Sequence, residues 1–140
     1  MQLLVDRVEG LDSKQLHVAS AGLIGRPAPG FNVLVMATAD LTVISLGRAD
    51  ASASEYIAEI QRRLAAQDRV RYALHAMGTS LEGETADILA VVGELHAVPF
   101  AMGVPRVYTV LKLDERRDRE QTLEDKVASV QQRLEKQPTS

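Results

Sequence analysis

The chain has 140 residues, enough for one domain with a substantial hydrophobic core, and its 46% hydrophobic and 25% charged residues are ordinary for a globular protein. A net charge of −3 argues against binding nucleic acid through phosphate neutralisation, and the absence of cysteine excludes disulfides, thiolate metal sites and cysteine nucleophiles. No run of about 18 apolar residues predicts a membrane span, and the N-terminus lacks the basic-then-apolar order of a signal peptide. We therefore expect a cytoplasmic protein.

The first quarter of the chain differs from the rest. Five residues that break helices and strands crowd its second half, which is typical of a loop: Gly22, Gly25, Pro27, Pro29 and Gly30. No Gly-Lys-Ser/Thr follows them, so they do not form a phosphate-binding loop. We expect residues 1–35 to be a flexible extension, or to precede a natural start at Met36. Residues 36–140 are then expected to form the folded domain.

The folded part is predicted to begin with a strand and a helix. Residues 39–46 are rich in aliphatic and β-branched side chains and are followed by Gly47, which predicts a strand that ends there. Ser52 and Glu55 have the spacing of a capping box at a helix N-terminus. The helix that follows is predicted to bury one stripe at a period of about 3.6 residues: Ala53, Ile57, Ile60 and Leu64.

A hairpin and a second helix come next. Residues 70–83 alternate like two short strands that turn at Gly78, with polar side chains crowded near the turn. Thr85 is predicted to cap a helix that extends to about Met102, and Gly103 is well placed for a left-handed stop. The predicted core stripe of this helix is Ile88, Val91, Val92, Leu95 and Met102.

A last strand and a third helix complete the pattern. Residues 107–113 predict the strand, and residues 122–136 predict a helix with acids first and bases last, as the helix dipole favours. This helix is predicted to bury Leu123, Val127, Val130 and Leu134. The element order predicts an α+β, ferredoxin-like βαββαβ fold, with one four-stranded antiparallel sheet, two helices on one face and an additional C-terminal helix.

The sheet face that the two crossover helices leave uncovered is expected to be apolar at its centre and polar at its margins. Strand alternation places five apolar residues there: Ile44, Leu46, Ala73, Met77 and Val110. An exposed patch of this kind marks an interface, which predicts a homo-oligomer. The alternative is a half-solvated sheet that the third helix partly covers.

Few residues suggest chemistry. His75 and His96 lack a third ligand at zinc-site spacing, and a hydrogen-bonded structural role is the more frequent one for such histidines. Together with Glu82 they are the candidates for an acid–base site. Glu82 could equally favour the N-terminus of the following helix, or accept a hydrogen bond from a heterocyclic amine. The loop 114–119 carries nearly balanced charge and is expected to be solvated.

Several motifs together resemble one family. They are Leu46-Gly47, Tyr72 to Thr79, Leu81-Glu82-Gly83, His96, Gly103 to Val107, and Asp114-Glu115-Arg116-Arg117-Asp118. In this order they are similar to the thiamine-binding, YkoF-like family of small ferredoxin-like domains, which assemble as dimers and tetramers. The resemblance covers about residues 37–118 and implies a non-catalytic binding protein for thiamine or its hydroxymethylpyrimidine moiety.

The resemblance also implies six ligand-binding residues: Met77, Gly78, Thr79, Glu82, His96 and Arg106. Tyr108 is added as a candidate because its side chain could contact the ring of the ligand. It implies no catalytic residue and assembly as a dimer or tetramer, which the uncovered sheet suggests would form through sheet faces or edges. Residue spacing, net charge and hydropathy predict no metal and no nucleic-acid or membrane partner, and we expect no cofactor. On this basis we expect Glu82→Ala to weaken thiamine binding. The alternatives are a structural or regulatory oligomer with an empty site and, third, an enzyme that uses His75, Glu82 and His96.

Overall fold

A computed structural model describes residues 36–136, which form one open four-stranded antiparallel sheet and three helices. The elements are β1 (Ala37–Leu46), α1 (Ser54–Ala65), β2 (Arg71–His75), β3 (Gly78–Gly83), α2 (Thr85–Ala101), β4 (Arg106–Glu115) and α3 (Leu123–Lys136). The strand order is β2-β3-β1-β4, so the predicted ferredoxin-like fold is confirmed. The expectation for residues 1–35 lies outside the described residues.

The core lies between one face of the sheet and the helices α1 and α2. Alternate residues of β1 point into it, as the two-residue period of a strand requires: Ala37, Ala39, Leu41 and Val43. Leu81 of β3 and Tyr72 of β2 join them, and Ile88, Val91 and Leu95 of α2 cover them. The predicted separation of the strand residues into two faces therefore agrees with the core.

Strand β1 is longer than the strand that pairs with it on one side. Its partner β4 runs along its full length, from Ala37 opposite Glu115 to Leu46 opposite Arg106. On the other side, β3 pairs with it only as far as Leu41, which lies opposite Thr79. The second half of β1 therefore has an open edge, and this edge positions the candidate site.

The start of α1 differs from the prediction. The helix begins at Ser54, its N-cap is Ala53 and no side chain caps it, so the predicted capping box is wrong. Instead, the Asp50 carboxylate accepts a hydrogen bond from the Ser52 N–H at 2.9 Å, which stabilises a tight turn before the helix. Glu55 faces away and forms an ion pair with Arg48.

The buried stripe of α1 is also displaced from the predicted one. Tyr56, Ile60 and Leu64 are buried, whereas Ala53 and Ile57 are only half-buried. The spacing of four residues is the same, but the helix is rotated so that Tyr56 points toward the sheet.

Helix α2 ends at Ala101, one residue earlier than predicted. Gly103 has φ +84°, which confirms the left-handed stop, and the predicted core residue Met102 is 40% exposed because it lies past the end of the helix. Pro99 is buried inside the last turn instead. Thr85 is the first helical residue rather than the cap, and its hydroxyl donates a hydrogen bond to Glu115 at 2.7 Å.

Helix α3 is the largest departure from the prediction. It buries none of its residues, and the predicted core positions Val127, Val130 and Leu134 are 58%, 56% and 68% exposed. The reason is that α3 contacts the sheet through polar groups of its first turn: the Leu123 N–H and the Lys126 ammonium.

In the described part of the chain, no helix is long and apolar enough to cross a membrane.

Candidate functional site

A cavity of about 620 Å³ opens beside the free edge of β1. Its walls are the second half of β1, the turn of the β2–β3 hairpin and the start of α1. Its lining includes Val43, Ser45, Tyr56, Met77, Gly78 and Thr79. This volume lies within the range of pockets that hold small molecules, which is roughly 300–1,000 Å³.

The hairpin turn is held against β1 at the floor of the cavity. A Cβ atom on Gly78 would lie 2.6 Å from the Leu41 carbonyl oxygen and 3.1 Å from the Thr42 hydroxyl oxygen. The Thr42 hydroxyl donates a hydrogen bond to the Met77 carbonyl at 3.2 Å. Only glycine allows this close approach of two backbones, which explains the residue at this position of the motif.

The α1 wall of the cavity is formed by Tyr56. Its ring is buried, and its hydroxyl accepts a hydrogen bond of 3.4 Å from the Ser45 N–H on the open edge of β1. The Arg48 guanidinium lies 5.8 Å from the ring centroid, a cation–π distance, and pairs with Glu55 at 3.5 Å. Sequence reasoning missed Tyr56, although its spacing of four from the buried Ile60 was a usable signal.

The hairpin contributes Thr79 to the cavity wall and His75 to its rim. Thr79 is buried on the helix side of the sheet, and its hydroxyl oxygen accepts a hydrogen bond from the Gln61 side-chain amide at 3.1 Å. The His75 Nε2 lies 2.8 Å from the Asp40 carboxylate, and the Met77 N–H donates to the His75 Nδ1 at 3.4 Å. Both ring nitrogens of His75 are therefore engaged in holding the hairpin turn.

Glu82 lies on the sheet face away from α1 and α2 and does not line the cavity. It is the fourth residue after Gly78 along β3, which places the two Cα atoms about 13 Å apart at the usual rise of a strand. Its side chain is fully buried, with the Arg71 guanidinium at 2.6 Å and the Leu123 N–H donating at 2.8 Å. Burial raises the pKa of the Glu82 carboxyl, and the Leu123 N–H and Arg71 oppose that shift.

The other predicted residues lie on α2 and β4. His96 is on the helix side of the sheet, where its Nδ1 lies 2.7 Å from the Thr109 hydroxyl and its ring meets the Phe100 ring edge-to-face at 5.6 Å. Arg106 and Tyr108 are exposed on β4, next to β1 but outside the cavity lining.

The structure therefore brings Met77, Gly78 and Thr79 together at the cavity and places the other predicted site residues elsewhere. His75, Glu82 and His96 do not converge, because each is bonded to a different partner in a different part of the sheet. Within residues 36–136, no group of three or more His, Asp or Glu side chains is arranged to hold a metal ion.

Comparison with known proteins identifies the family. The sequence profile of the family described as thiamine-binding protein matches residues 39–131. The chain belongs to this family. UPF0045 protein YqgV of Bacillus subtilis is 41% identical over 103 residues, which cover 71% of this chain and 99% of the relative. A UPF0045 protein of Methanothermobacter thermautotrophicus is 43% identical over 100 residues, covering 71% of this chain and 100% of the relative.

The fold of the family agrees with the structure. The crystal structure of hypothetical protein MJ1052 from Methanocaldococcus jannaschii superposes with a TM-score of 0.62 at 34% identity, covering 69% of this chain and 96% of that chain. Residues 39–131 of this chain, which match the family, contain almost all of β1, the hairpin and α1. The elements that form the cavity are thus all within the family region.

Proposed function

We propose that this protein binds thiamine, or its hydroxymethylpyrimidine moiety, in the cavity beside β1, that it does so without catalysis and that it acts as a homo-oligomer. The observation that carries the proposal is the cavity of about 620 Å³ formed around Met77, Gly78 and Thr79 in a member of a thiamine-binding family. The expected contribution of Glu82 and His96 to ligand contact is not part of this proposal, because neither lines the cavity.

The composition of the cavity suits a flat ring with a cationic neighbour. Val43 and Tyr56 supply apolar and aromatic wall, while backbone groups of the open β1 edge supply hydrogen bonds. Met77 is 80% exposed at the hairpin turn, and its flexible thioether is suited to lie over an aromatic ring. The Asp50 carboxylate belongs to the lining and offers a negative charge to a thiazolium ring.

Binding without catalysis is supported by the partners of the ionisable groups. A general base needs a free nitrogen or oxygen within hydrogen-bond reach of its substrate. His75 uses both nitrogens to hold the hairpin turn, and Glu82 is enclosed by Arg71 and the Leu123 N–H. Neither is arranged to transfer a proton to a molecule in the cavity.

Assembly into a homo-oligomer is supported by two surfaces. Ile44 and Tyr108, which lie opposite each other on the sheet face away from α1 and α2, are 37% and 55% exposed, and the apolar stripe of α3 is exposed as well. The ten-residue strand β4 forms one edge of the sheet, with no strand along its outer side among residues 36–136. Such apolar patches and free edges favour association.

The sequence of β4 is complementary to itself in one antiparallel register. If Val110 lies opposite Val110 of a second copy, Arg106 lies opposite Asp114 and Tyr108 lies opposite Lys112. Cross-strand pairs of opposite charge, and of a cation with an aromatic ring, stabilise a sheet by roughly 0.2–1 kcal/mol each. Shifting the register by two residues places Arg106 opposite Lys112 or Arg116, which is unfavourable. A second copy of the chain is thus the partner that fits this edge.

Isothermal titration tests the binding proposal. Thiamine and the free hydroxymethylpyrimidine are titrated into the protein, and both are expected to bind with micromolar or tighter affinity. Asp50→Asn should weaken thiamine but not the uncharged pyrimidine, because only thiamine carries the thiazolium charge. Asp68→Asn removes the same charge at an exposed position outside the cavity and serves as the matched control. No heat from either ligand at protein concentrations that would reveal micromolar binding would count against the function.

Native mass spectrometry tests the assembly and reports any small molecule that is retained on purification. We expect dimers or larger species at micromolar concentration, and Arg106→Asp, which places two carboxylates opposite each other at Asp114, should reduce their population. A protein that remains a single copy under these conditions contradicts the assembly proposal.

A further inference from the structure

The direction of the backbone groups along β1 follows from two contacts. The Leu41 carbonyl approaches Gly78 of the hairpin, and the Ser45 N–H is bonded to the Tyr56 hydroxyl on the same side of the strand. In an antiparallel strand, the N–H and C=O of alternate residues point to the same neighbour. The backbone groups of Leu41, Val43 and Ser45 therefore point away from β4, whereas those of Thr42 and Ile44 point to β4.

Val43 is the residue in this series whose backbone has no partner among the described residues. Leu41 is paired with Thr79 of β3, and the Ser45 N–H is bonded to Tyr56. Val43 lies opposite Thr109 of β4, but its N–H and C=O point to the other side, where the pairing with β3 stops at Leu41 and no turn, loop or side-chain hydrogen bond within residues 36–136 reaches them. Val43 is only 5% exposed and lines the cavity.

An unpaired backbone donor and acceptor at a buried position cost free energy unless a partner satisfies them. Here the donor and the acceptor belong to one residue and lie side by side on the cavity wall. The partner they fit is a planar group that carries a hydrogen-bond acceptor next to a donor. A ring nitrogen adjacent to an exocyclic amino group has this arrangement, and a sheet edge pairs with such a group as it pairs with an added strand.

We propose that the main-chain N–H and C=O of Val43 bind the hydrogen-bonding edge of the ligand. An aminopyrimidine-type ring would then pair with Val43 where β3 does not extend. The Val43 N–H donates to the ring nitrogen, and the Val43 C=O accepts from the exocyclic amino group. Tyr56 restricts this pairing to Val43, because its hydroxyl already accepts the hydrogen bond of the next outward-pointing donor, the Ser45 N–H. This inference rests on the proposed function and names the atoms that select the ligand.

Amide hydrogen exchange followed by NMR tests the inference directly. In the free protein, the Val43 amide should exchange faster than the amides of Thr42 and Ile44, which face β4. Saturation with the free hydroxymethylpyrimidine should slow exchange at Val43 by about tenfold, as one added hydrogen bond of about 1.4 kcal/mol would do, with little change at its two neighbours.

A ligand analogue provides the matched chemical control. The same pyrimidine without its exocyclic amino group leaves the Val43 C=O unpaired and should bind roughly 5- to 10-fold more weakly, the effect of losing one hydrogen bond. A pyrimidine that binds without any change in Val43 exchange overturns this inference and leaves the proposed function standing. If neither thiamine nor the pyrimidine binds, the proposed function and this inference are both contradicted.

Discussion

The substitution Gly78→Ala tests the structure of the cavity floor. The added Cβ would lie 2.6 Å from the Leu41 carbonyl oxygen, and the obstacle is backbone rather than a flexible side chain. Relief to an ordinary contact of at least 3.4 Å requires the hairpin turn to move away from β1 by about 0.8 Å. Forced displacement of packed groups costs about 1–3 kcal/mol.

We expect Gly78→Ala to lower the midpoint of thermal unfolding, because 1 kcal/mol corresponds to about 4–8 °C in a domain of this size. Thiamine affinity should fall as well, since Gly78 and Met77 form part of the cavity. Thermal denaturation followed by circular dichroism gives the first quantity and titration gives the second.

Gly93→Ala is the matched control. Gly93 lies inside α2, and a Cβ there would meet no atom within 4 Å. Replacing a helical glycine by alanine should stabilise the protein by roughly 0.5–1 kcal/mol. The same chemical change is thus expected to have opposite signs at the two positions. Equal stability of Gly78→Ala and the unmodified protein would refute the close approach of the hairpin to β1.

Three further substitutions or conditions test individual contacts. Glu82→Ala leaves Arg71 without its buried partner and should lower the free energy of unfolding by about 3 kcal/mol in urea titrations. The thiamine affinity of the folded protein should stay unchanged. A loss of affinity at normal stability would instead support the expectation from family resemblance that Glu82 contacts the ligand. Tyr56→Phe removes the partner of the Ser45 N–H and should cost about 1 kcal/mol in the same assay, and no measurable loss would contradict that hydrogen bond. The Lys126 ammonium lowers the pKa of the Asp114 carboxyl from its ordinary value of 3.8. Their pairing therefore stabilises the docked α3 fully above pH 3.8, and this stabilisation is lost as the pH falls from 3.8 through the lower pKa of the folded state. Amide shifts of the first turn of α3 should therefore change as the pH falls below 3.8, whereas a spectrum unchanged there would show that this ion pair does not hold the helix.

The sheet and its two covering helices could be predicted because their signals are local and repeated. Alternation in β1 and β4, the turn at Gly78 and the stop at Gly103 each follow from the properties of a few adjacent residues. The family motif likewise placed Met77, Gly78 and Thr79 in one hairpin, and these are the predicted residues that the structure brings to the cavity.

The errors arose where a pattern does not say what it packs against. The apolar stripe of α3 predicted burial, but this helix is held through Leu123 and Lys126 and leaves the stripe exposed. Ser52 and Glu55 have the spacing of a capping box, but the Ser52 N–H donates to Asp50 and the Glu55 carboxylate pairs with Arg48. A period predicts which side of a helix is apolar and not which neighbour, if any, covers it.

The amino-acid sequence by itself determined the secondary elements, their order and hence the ferredoxin-like topology, because strand and helix periods are properties of neighbouring residues. Only the tertiary structure decided that β3 pairs with β1 no further than Leu41, that the Tyr56 hydroxyl binds the Ser45 N–H and that Glu82 lies outside the cavity lining. These facts depend on strand register and on the rotation of a helix about its own axis. Register and rotation are set by contacts between residues far apart in the chain, which no local pattern records.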